Sequence, residues 1–246
     1  LCALRGHKVT LLEKEAELGG NFRIAAYPTG KGQLTEVIRS IIVRCQNAGV
    51  DLRCNTEADE ETLRSFEPDT IVVATGSNPL ILPIPGLFDC EYVTAQELLD
   101  GKSEMGKKVL VVGGGMVGCE AAEYLAERGH QVGIIEMKDV IAGDVTAESR
   151  KYIFKNFEEN HVQLCPGAKV GHFYKDGVDY TLADGTAGSL RGYDNVVLAM
   201  GSRANSALKE TAEKAAEQVL VIGEAAKAPG NAVIAVNDAF EAALQI

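Results

Sequence analysis

The chain has 246 residues, 46% of them hydrophobic, and a formal net charge of −11 at pH 7. This length allows one large domain or two of ordinary size, and the composition is typical of a soluble globular protein. The acidic excess argues against a nucleic-acid backbone or an anionic membrane surface as partner, and no apolar run approaches the roughly 18 residues that span a bilayer.

The cysteines and histidines indicate no metal centre. Six cysteines are scattered along the chain and none forms a C-x-x-C pair, and the four histidines show no ligand spacing. Zinc, thioredoxin-like redox chemistry and iron–sulfur ligation therefore lack their usual local pattern. The cysteines are predicted to be reduced, mostly buried side chains of a cytoplasmic protein.

The first part of the chain predicts alternating strands and helices. A strand over residues 9–12 ends at Glu13, and a glycine turn follows at Gly19 and Gly20. Further elements are indicated by hydrophobic spacing and by breakers, namely a helix over 33–46, a strand over 50–52, a helix over 59–66 and a fully buried strand over 71–74. The proline-rich residues 79–86 then predict a crossover between domains.

The central feature of the chain is a strand over residues 109–112 followed by Gly113, Gly115 and Gly118, which have the G-x-G-x-x-G spacing of a dinucleotide-binding turn. The first glycine allows the tight turn, the second lets backbone approach a pyrophosphate, and the third lets helix pack on strand. The helix that starts at Met116 and Val117 offers unpaired N–H groups and a partial positive charge to the phosphates.

An acidic residue supports this prediction. Glu136 ends a second strand and lies 18 residues after Gly118, near the spacing expected for a ribose-binding acid. The competing interpretation is a plain glycine turn with a solvated surface glutamate, but the flanking strand and helix favour a nucleotide site. A carboxylate accepts hydrogen bonds from a ribose diol and repels a 2′-phosphate, so NADH is favoured over NADPH. The nearby Lys138 weakens that preference.

The rest of the chain continues the pattern and contains a repeat. A helix over 147–159, a small antiparallel meander, a strand over 196–199, a strand over 219–222 and a helix over 232–244 are predicted. Residues 5–13 match residues 128–136, and residues 69–77 match residues 194–202, at nearly one offset. The chain therefore holds two related units. By the same offset the fingerprint of the first unit would fall about ten residues before Leu1, so we expect a fragment that lacks this strand and turn.

The predicted fold is α/β, with two Rossmann-like units built from parallel sheets flanked by helices, a small antiparallel meander, and the second unit inserted in the first. We assign residues 1–104 to an FAD- or ADP-binding unit, 105–203 to an NAD-binding unit, and 204–246 to the return into the first unit.

The residues resemble the two-dinucleotide-fold flavoprotein reductases. More narrowly, they resemble the C-terminal part of the old yellow enzyme-like NADH:flavin oxidoreductases, the group with 2,4-dienoyl-CoA reductase, enoate reductases and trimethylamine dehydrogenase. The resemblance covers essentially the whole chain and is carried by these residues: Glu13 with Gly19–20, 19–25, 74–76, 95–102, 113–118 with Glu136, 199–201 and 222–224.

The resemblance implies which residues hold the cofactors. In the first unit Glu13 would bond the adenosine ribose, and further positions would line the FAD, namely Gly19, Gly20, Asn21, Ala74, Thr75, Gly76, Gly223 and Glu224. In the second unit Gly201 would join the fingerprint around NAD. Glu224 stands where the family usually has Asp, which leaves open whether FAD or ADP occupies the first site.

The resemblance also implies the activity, in which NADH on the second unit passes hydride to FAD on the first. Electrons would continue to an iron–sulfur cluster and an FMN on an N-terminal (β/α)₈ barrel that lies outside this chain. No general acid or base is assigned, because the protein mainly positions cofactors in such chemistry.

Two alternatives remain. One is a non-catalytic ADP- or NAD-binding module of a larger dehydrogenase. The other is a disulfide reductase, which would need a redox-active C-x₄-C pair or a lone cysteine just after the first fingerprint helix. Neither appears in this chain, since Cys45 and Cys54 lie on a predicted helix and at a strand end. The oligomeric state is left open, a homo-oligomer included.

Overall fold

The computed structural model describes residues 1–28 and 30–246 as a mixed α/β chain. The strands, in chain order, are β1 (Thr10–Leu12), β2 (Asp51–Arg53), β3 (Thr70–Val73), β4 (Ser77–Pro79), β5 (Tyr92–Thr94), β6 (Lys108–Val112), β7 (Gln131–Ile135), β8 (Gln163–Cys165), β9 (Ala168–Tyr174), β10 (Gly177–Leu182), β11 (Ala187–Leu190), β12 (Asn195–Leu198), β13 (Ser202–Ala204) and β14 (Gln218–Val221). The helices are α1 (Gly20–Ile24), α2 (Gln33–Asn47), α3 (Glu60–Ser65), α4 (Ala95–Leu99), α5 (Met116–Ala126), α6 (Ala147–Glu159), α7 (Leu208–Ala212) and α8 (Ala232–Gln245).

The chain forms two compact units. Unit 1 consists of Leu1–Ala26, Gly32–Asn78 and Ser202–Ile246, and unit 2 consists of Tyr27–Lys31 and Pro79–Gly201. In sequence, unit 2 is therefore inserted in unit 1, as the predicted fold class requires. Within residues 1–28 and 30–246, each helix is too short or too polar to span a lipid bilayer.

Unit 2 is built on a parallel sheet with the strand order β5-β12-β6-β7-β8. Successive residues of a strand point to opposite faces, so β6 contributes to two cores. Val109 and Val111 pack with helices α4, α5 and α6, whereas Leu110 and Val112 pack with the antiparallel meander β9-β10-β11. All four side chains are at most 5% exposed, as expected for a strand covered on both faces.

Unit 1 contains two parallel strand pairs, β1 with β2 and β3 with β14. By the sequence repeat, β1 corresponds to β7 and β3 corresponds to β12. In unit 2 the strand β6 lies between these two positions, whereas among the described residues of unit 1 no strand lies between β1 and β3. The prediction of a fully buried strand over 71–74 is wrong: Ile71 and Val73 are buried, but Val72 is 40% exposed, because β3 has one partner strand and one covered face.

The cysteines are free, but they are less buried than predicted. Only Cys119 is fully buried, and the other five are half-buried. Cys119 lies on the inner face of α5, where burial raises the pKa of its thiol to about 12. The expectation of mostly buried cysteines is wrong because the other five lie outside the two tightly packed faces of the unit 2 sheet or at their margins.

Candidate nucleotide-binding sites

The turn between β6 and α5 requires its first glycine. Gly113 has φ of +109°, a left-handed backbone that residues with a side chain rarely adopt. A Cβ atom at this position would lie 2.2 Å from the carbonyl oxygen of Ala199. Glycine is therefore required at position 113 for two reasons: the backbone conformation of the turn and the close contact with the segment that follows β12.

The other two glycines of the fingerprint have different surroundings. A Cβ atom at Gly118 would lie 1.9 Å from the carbonyl oxygen of Gly113, so this glycine lets α5 pack on the turn. At Gly115 the nearest atom to such a Cβ would be a carboxylate oxygen of Asp144, at 3.1 Å. Gly115 is thus open on a side that faces the Asp144 carboxylate and not the protein core, which is the side from which the pyrophosphate of a dinucleotide would approach.

Glu136 lies directly beside this turn. Because β6 and β7 pair in parallel with Val112 opposite Ile135, the residue after β7 reaches the start of the glycine turn. One oxygen of Glu136 accepts the N–H of Gly114 at 2.6 Å, and the other accepts the N–H of Lys138 at 2.7 Å. The residue is 8% exposed. Each carboxylate oxygen can accept a second hydrogen bond, so the group can still bind ribose hydroxyls.

Asp144 is a second acid at the turn, and the sequence analysis did not find it. The N–H of Met116, the first residue of α5, donates to both its oxygens, at 2.9 and 3.1 Å. No spacing rule marks Asp144, which follows Glu136 by eight residues. The predicted parallel pairing of β6 and β7 could have indicated it, because parallel strands end at the same edge of the sheet and the loop after β7 therefore lies near the glycine turn.

The remaining predicted residues of unit 2 are Gly201 and the first two residues of α5. Gly201 follows β12, which is hydrogen-bonded to β6, and has φ of +101°. Met116 and Val117, at the start of α5, are each 43% exposed. The structure therefore brings the three fingerprint glycines, the start of α5 and Glu136 together at one turn, and Gly201 lies three residues beyond β12.

An ion pair anchors α5 on the side of Glu120. This glutamate is 8% exposed, and its carboxylate pairs with the ammonium group of Lys31, which also belongs to unit 2. Burial raises the pKa of the neighbouring Glu123, and the like charges of Glu127 and Glu120 raise it further. Lys31 thus places a cation beside a locally acidic stretch of α5.

In unit 1 the first group of predicted residues follows β1. The side chain of Glu13 accepts the N–H of Glu15 at 2.9 Å. Gly19 and Gly20 have φ of +119° and +48° and form the turn into α1, of which Asn21 is the second residue. This segment has the shape of a strand-to-helix turn, with a half-buried acid at the strand end.

The second group in unit 1 follows β3. Ala74 and Thr75 are exposed, and Gly76 has φ of +70°. The hydroxyl of Thr75 donates to the carbonyl oxygen of Asn205, and the N–H of Asn205 donates to the carbonyl oxygen of Gly76 at 2.9 Å. The backbone is therefore held open at the end of β3, which fits the close approach of a cofactor.

Glu224 has both carboxylate oxygens engaged within unit 1. One oxygen accepts the hydroxyl of Ser77 at 2.9 Å, and the other accepts the N–H of Gly230 at 2.9 Å. The N–H of the preceding Gly223 donates to Asp238 of α8 at 3.0 Å. Glu224 thus joins the segments that follow β3 and β14, and any ligand contact has to use its remaining lone pairs.

The structure brings the predicted residues of unit 1 together in part. The bond between Ser77 and Glu224 links the ends of β3 and β14. None of the hydrogen bonds described over residues 1–28 and 30–246 links these segments to Glu13 or to residues 19–21. The residues predicted for the first site therefore form two groups, one on each strand pair.

Two units with strand-turn-helix motifs, one of them with a complete glycine fingerprint and an adjacent acid, define a dinucleotide-binding oxidoreductase fold. Residues 3–238 match the family model described as pyridine nucleotide-disulphide oxidoreductase, and the chain belongs to this family. Membership implies binding of FAD and of a pyridine nucleotide. The predicted oxidoreductase class and the resemblance to two-dinucleotide flavoprotein reductases are confirmed.

The chain is similar to proteins that are named as a reductase and an oxidase. It is 35% identical over 243 residues to a bilirubin reductase of Mediterraneibacter gnavus (strain CC55_001C) and 36% identical over 249 residues to an NADH oxidase of Thermoanaerobacter brockii. Each match covers 99% of this chain and 38% of the relative.

A solved structure confirms the fold. The 2-naphthoyl-CoA reductase in complex with 2-naphthoyl-CoA superposes with a TM-score of 0.93 and 28% identity, over 100% of this chain and 37% of that chain. The chain thus spans less than two fifths of the length of these three proteins.

Proposed function

We propose that this chain is the part of a flavin-dependent NADH oxidoreductase that passes hydride from NADH, held by unit 2, to FAD, held by unit 1. The observation that carries the proposal is the placement of the Glu136 carboxylate against the glycine turn, 2.6 Å from the N–H of Gly114. This geometry presents a ribose-binding acid and a phosphate-binding helix start side by side.

The residues of unit 2 would bind and orient the nucleotide. The N–H groups at the start of α5, including that of Val117, have no acceptor within the helix and carry its partial positive charge. With Gly115 open toward them, they would hold the pyrophosphate, and Glu136 would accept the adenosine ribose hydroxyls. Gly201 would line the same site. The bound nicotinamide supplies the hydride.

Glu136 supports a preference for NADH over NADPH. A 2′-phosphate would bring negative charge against a carboxylate that is 8% exposed and already fixed by two backbone N–H groups. Charge repulsion is strong in such a partly desolvated position. The backbone N–H of Lys138 is used by Glu136 itself, and its exposed ammonium group is solvated.

For FAD in unit 1 we propose the residues that follow β1, β3 and β14: Glu13, Gly19, Gly20, Asn21, Ala74, Thr75, Gly76, Gly223 and Glu224. The sequence-based assignment of 1–104 and 204–246 to FAD and of 105–203 to NAD stays a prediction, and it differs from the two compact units in residues 79–104, which lie in unit 2. We further propose that electrons pass to FMN and an iron–sulfur cluster on an N-terminal barrel of the full-length protein, since the relatives are much longer. The six free cysteines favour a reducing, cytoplasmic location.

An absorption experiment tests the proposal. The purified chain is incubated with FAD, desalted, and titrated with NADH without oxygen. A retained visible flavin band that bleaches on addition of NADH would support both sites and hydride transfer between their ligands. A colourless protein that still binds NADH would contradict the flavin part and favour a non-catalytic nucleotide-binding module.

A further inference from the structure

Asp144 places a carboxylate where the phosphates of a dinucleotide have to approach. Both its oxygens accept the N–H of Met116 at the start of α5, and one of them would lie 3.1 Å from a Cβ atom at Gly115. Gly115 is the glycine whose open side admits a pyrophosphate. The chain thus supplies its own anion to the anion-binding end of this helix.

The position of Asp144 is fixed by contacts on both sides of it. Two residues before it, the N–H of Ala142 donates to the carbonyl oxygen of Gly114 at 2.7 Å, and Ala142 is fully buried with φ of +54°. Two residues after it, Thr146 caps α6 by accepting the N–H of Ser149. The loop is therefore anchored to the glycine turn and to α6, and it holds the carboxylate at the start of α5.

We infer that Asp144 is an internal competitor of the dinucleotide phosphates, which lowers the affinity of unit 2 for its nucleotide and speeds release of the oxidised product. The inference rests on the proposed nucleotide site of unit 2. Without ligand, the carboxylate satisfies an N–H that has no acceptor within the helix and stabilises the positive end of α5. A bound pyrophosphate brings further negative charge beside it, and the two anions repel each other.

The test compares Asp144→Asn with wild type in binding of ADP-ribose, measured by calorimetry. Asparagine keeps an oxygen that can accept the Met116 N–H, so the cap is retained while the charge is removed. The dissociation constant is expected to fall about 3- to 10-fold, the range for one charge near a helix start. The gain should shrink at about 0.5 M salt, where exposed charges are screened.

Asp184→Asn is the matched control. Asp184 is also an exposed carboxylate of unit 2, and it accepts the N–H of Thr186 at 2.9 Å, but it lies in the turn between β10 and β11. The control changes net charge by the same amount away from the glycine turn, so ADP-ribose affinity should stay at the wild-type value.

A second readout follows the amide that Asp144 binds. The chain has four methionines, so labelling with ¹⁵N-methionine gives four backbone signals, and Met116→Leu identifies that of Met116. Asp144→Asn should shift the Met116 signal without ligand, and ADP-ribose should shift it in wild type. Neither readout requires flavin or turnover.

The outcomes separate this inference from the proposed hydride transfer. The inference is supported if Asp144→Asn binds ADP-ribose more tightly than wild type and Asp184→Asn does not. It is also supported if Asp144→Asn binds ADP-ribose and wild type does not. Equal or weaker binding, or an equal gain in both variants, overturns it even if NADH still bleaches the flavin. If ADP-ribose binds neither wild type nor Asp144→Asn, both the inference and the nucleotide site of unit 2 are overturned.

Discussion

The carboxylate of Glu136 and the backbone N–H of Gly114 are joined by a hydrogen bond of 2.6 Å across the ends of two parallel strands. This bond ties the acid to the glycine turn before any ligand is present. The orientation of the carboxylate is thereby set by the fold, so ligand binding loses little side-chain entropy in ordering it.

Replacing Glu136 tests this arrangement. Glu136→Ala should weaken NADH binding about 10-fold or more, because hydrogen bonds to a charged group are lost, and should narrow the difference between NADH and NADPH. Fluorescence titration with both nucleotides measures the two effects. Glu159→Ala, which removes a glutamate from the exposed face of α6, should leave both affinities unchanged. Tighter binding of NADPH than of NADH by wild type would contradict the assigned role.

Substitutions at two glycines of the turn should affect different properties, stability for Gly118 and nucleotide affinity for Gly115. Gly118→Ala places a Cβ 1.9 Å from a backbone oxygen and should lower the free energy of unfolding by about 2–3 kcal/mol. Gly115→Ala meets only the carboxylate of Asp144 and should keep the melting temperature while weakening ADP-ribose binding.

The control for both glycine variants is Gly171→Ala in β9. A Cβ atom at Gly171 would have nothing within 4 Å, so this variant should change neither stability nor binding. Thermal unfolding and ADP-ribose titration measure the set. If Gly115→Ala unfolds as early as Gly118→Ala, the proposed division of roles is wrong.

Lys31 is expected to stabilise unit 2 through Glu120. Lys31→Met leaves a carboxylate that is 8% exposed without its cation and should cost about 1–2 kcal/mol, less than for a fully buried pair because the Lys31 side chain is 39% exposed. The double variant Lys31→Met with Glu120→Gln should recover most of that loss. Chemical denaturation measures Lys31→Met, Glu120→Gln and the double variant, and additive losses would show that the pair does not interact.

The buried thiol of Cys119 predicts a pH dependence of stability. Its pKa is raised from 9.0 to about 12, first by burial and then by nearby carboxylates, so the folded state keeps the proton longer than the unfolded state. The stabilisation is therefore fully present below pH 9 and is lost as pH rises toward 12. Between these values the free energy of unfolding should fall about 1.4 kcal/mol per pH unit more steeply in wild type than in Cys119→Ala. If the free energy of unfolding of wild type and of Cys119→Ala fell in parallel over this pH range, the prediction would be wrong.

Most of the fold could be predicted from local pattern. The repeat between residues 5–13 and 128–136 identified equivalent strands. In both copies a Gly-His pair precedes the strand and a glutamate follows it, so the two copies align residue by residue. The glycine spacing located the turn, since only glycine tolerates the contacts of Gly113 and Gly118.

What could not be predicted depends on contacts between distant residues. Asp144 meets Met116 across 28 residues, and Ser77 meets Glu224 across 147, so neither pair leaves a local spacing. The exposure of Val72 depends on which elements pack against β3, and the hydrophobicity of the strand alone does not predict these neighbours. Sequence therefore placed the candidate site, but the partners that occupy its polar groups emerged from the structure.

The two strand pairs of unit 1 have a consequence for the behaviour of the isolated chain. Over the described residues, β1 and β3 each have a single hydrogen-bonded neighbour, so each presents a row of unpaired backbone donors and acceptors. Such rows are templates on which other chains can add strands. Preparations of this polypeptide should therefore self-associate as concentration rises, and a short β-forming peptide that pairs with these rows should suppress the association.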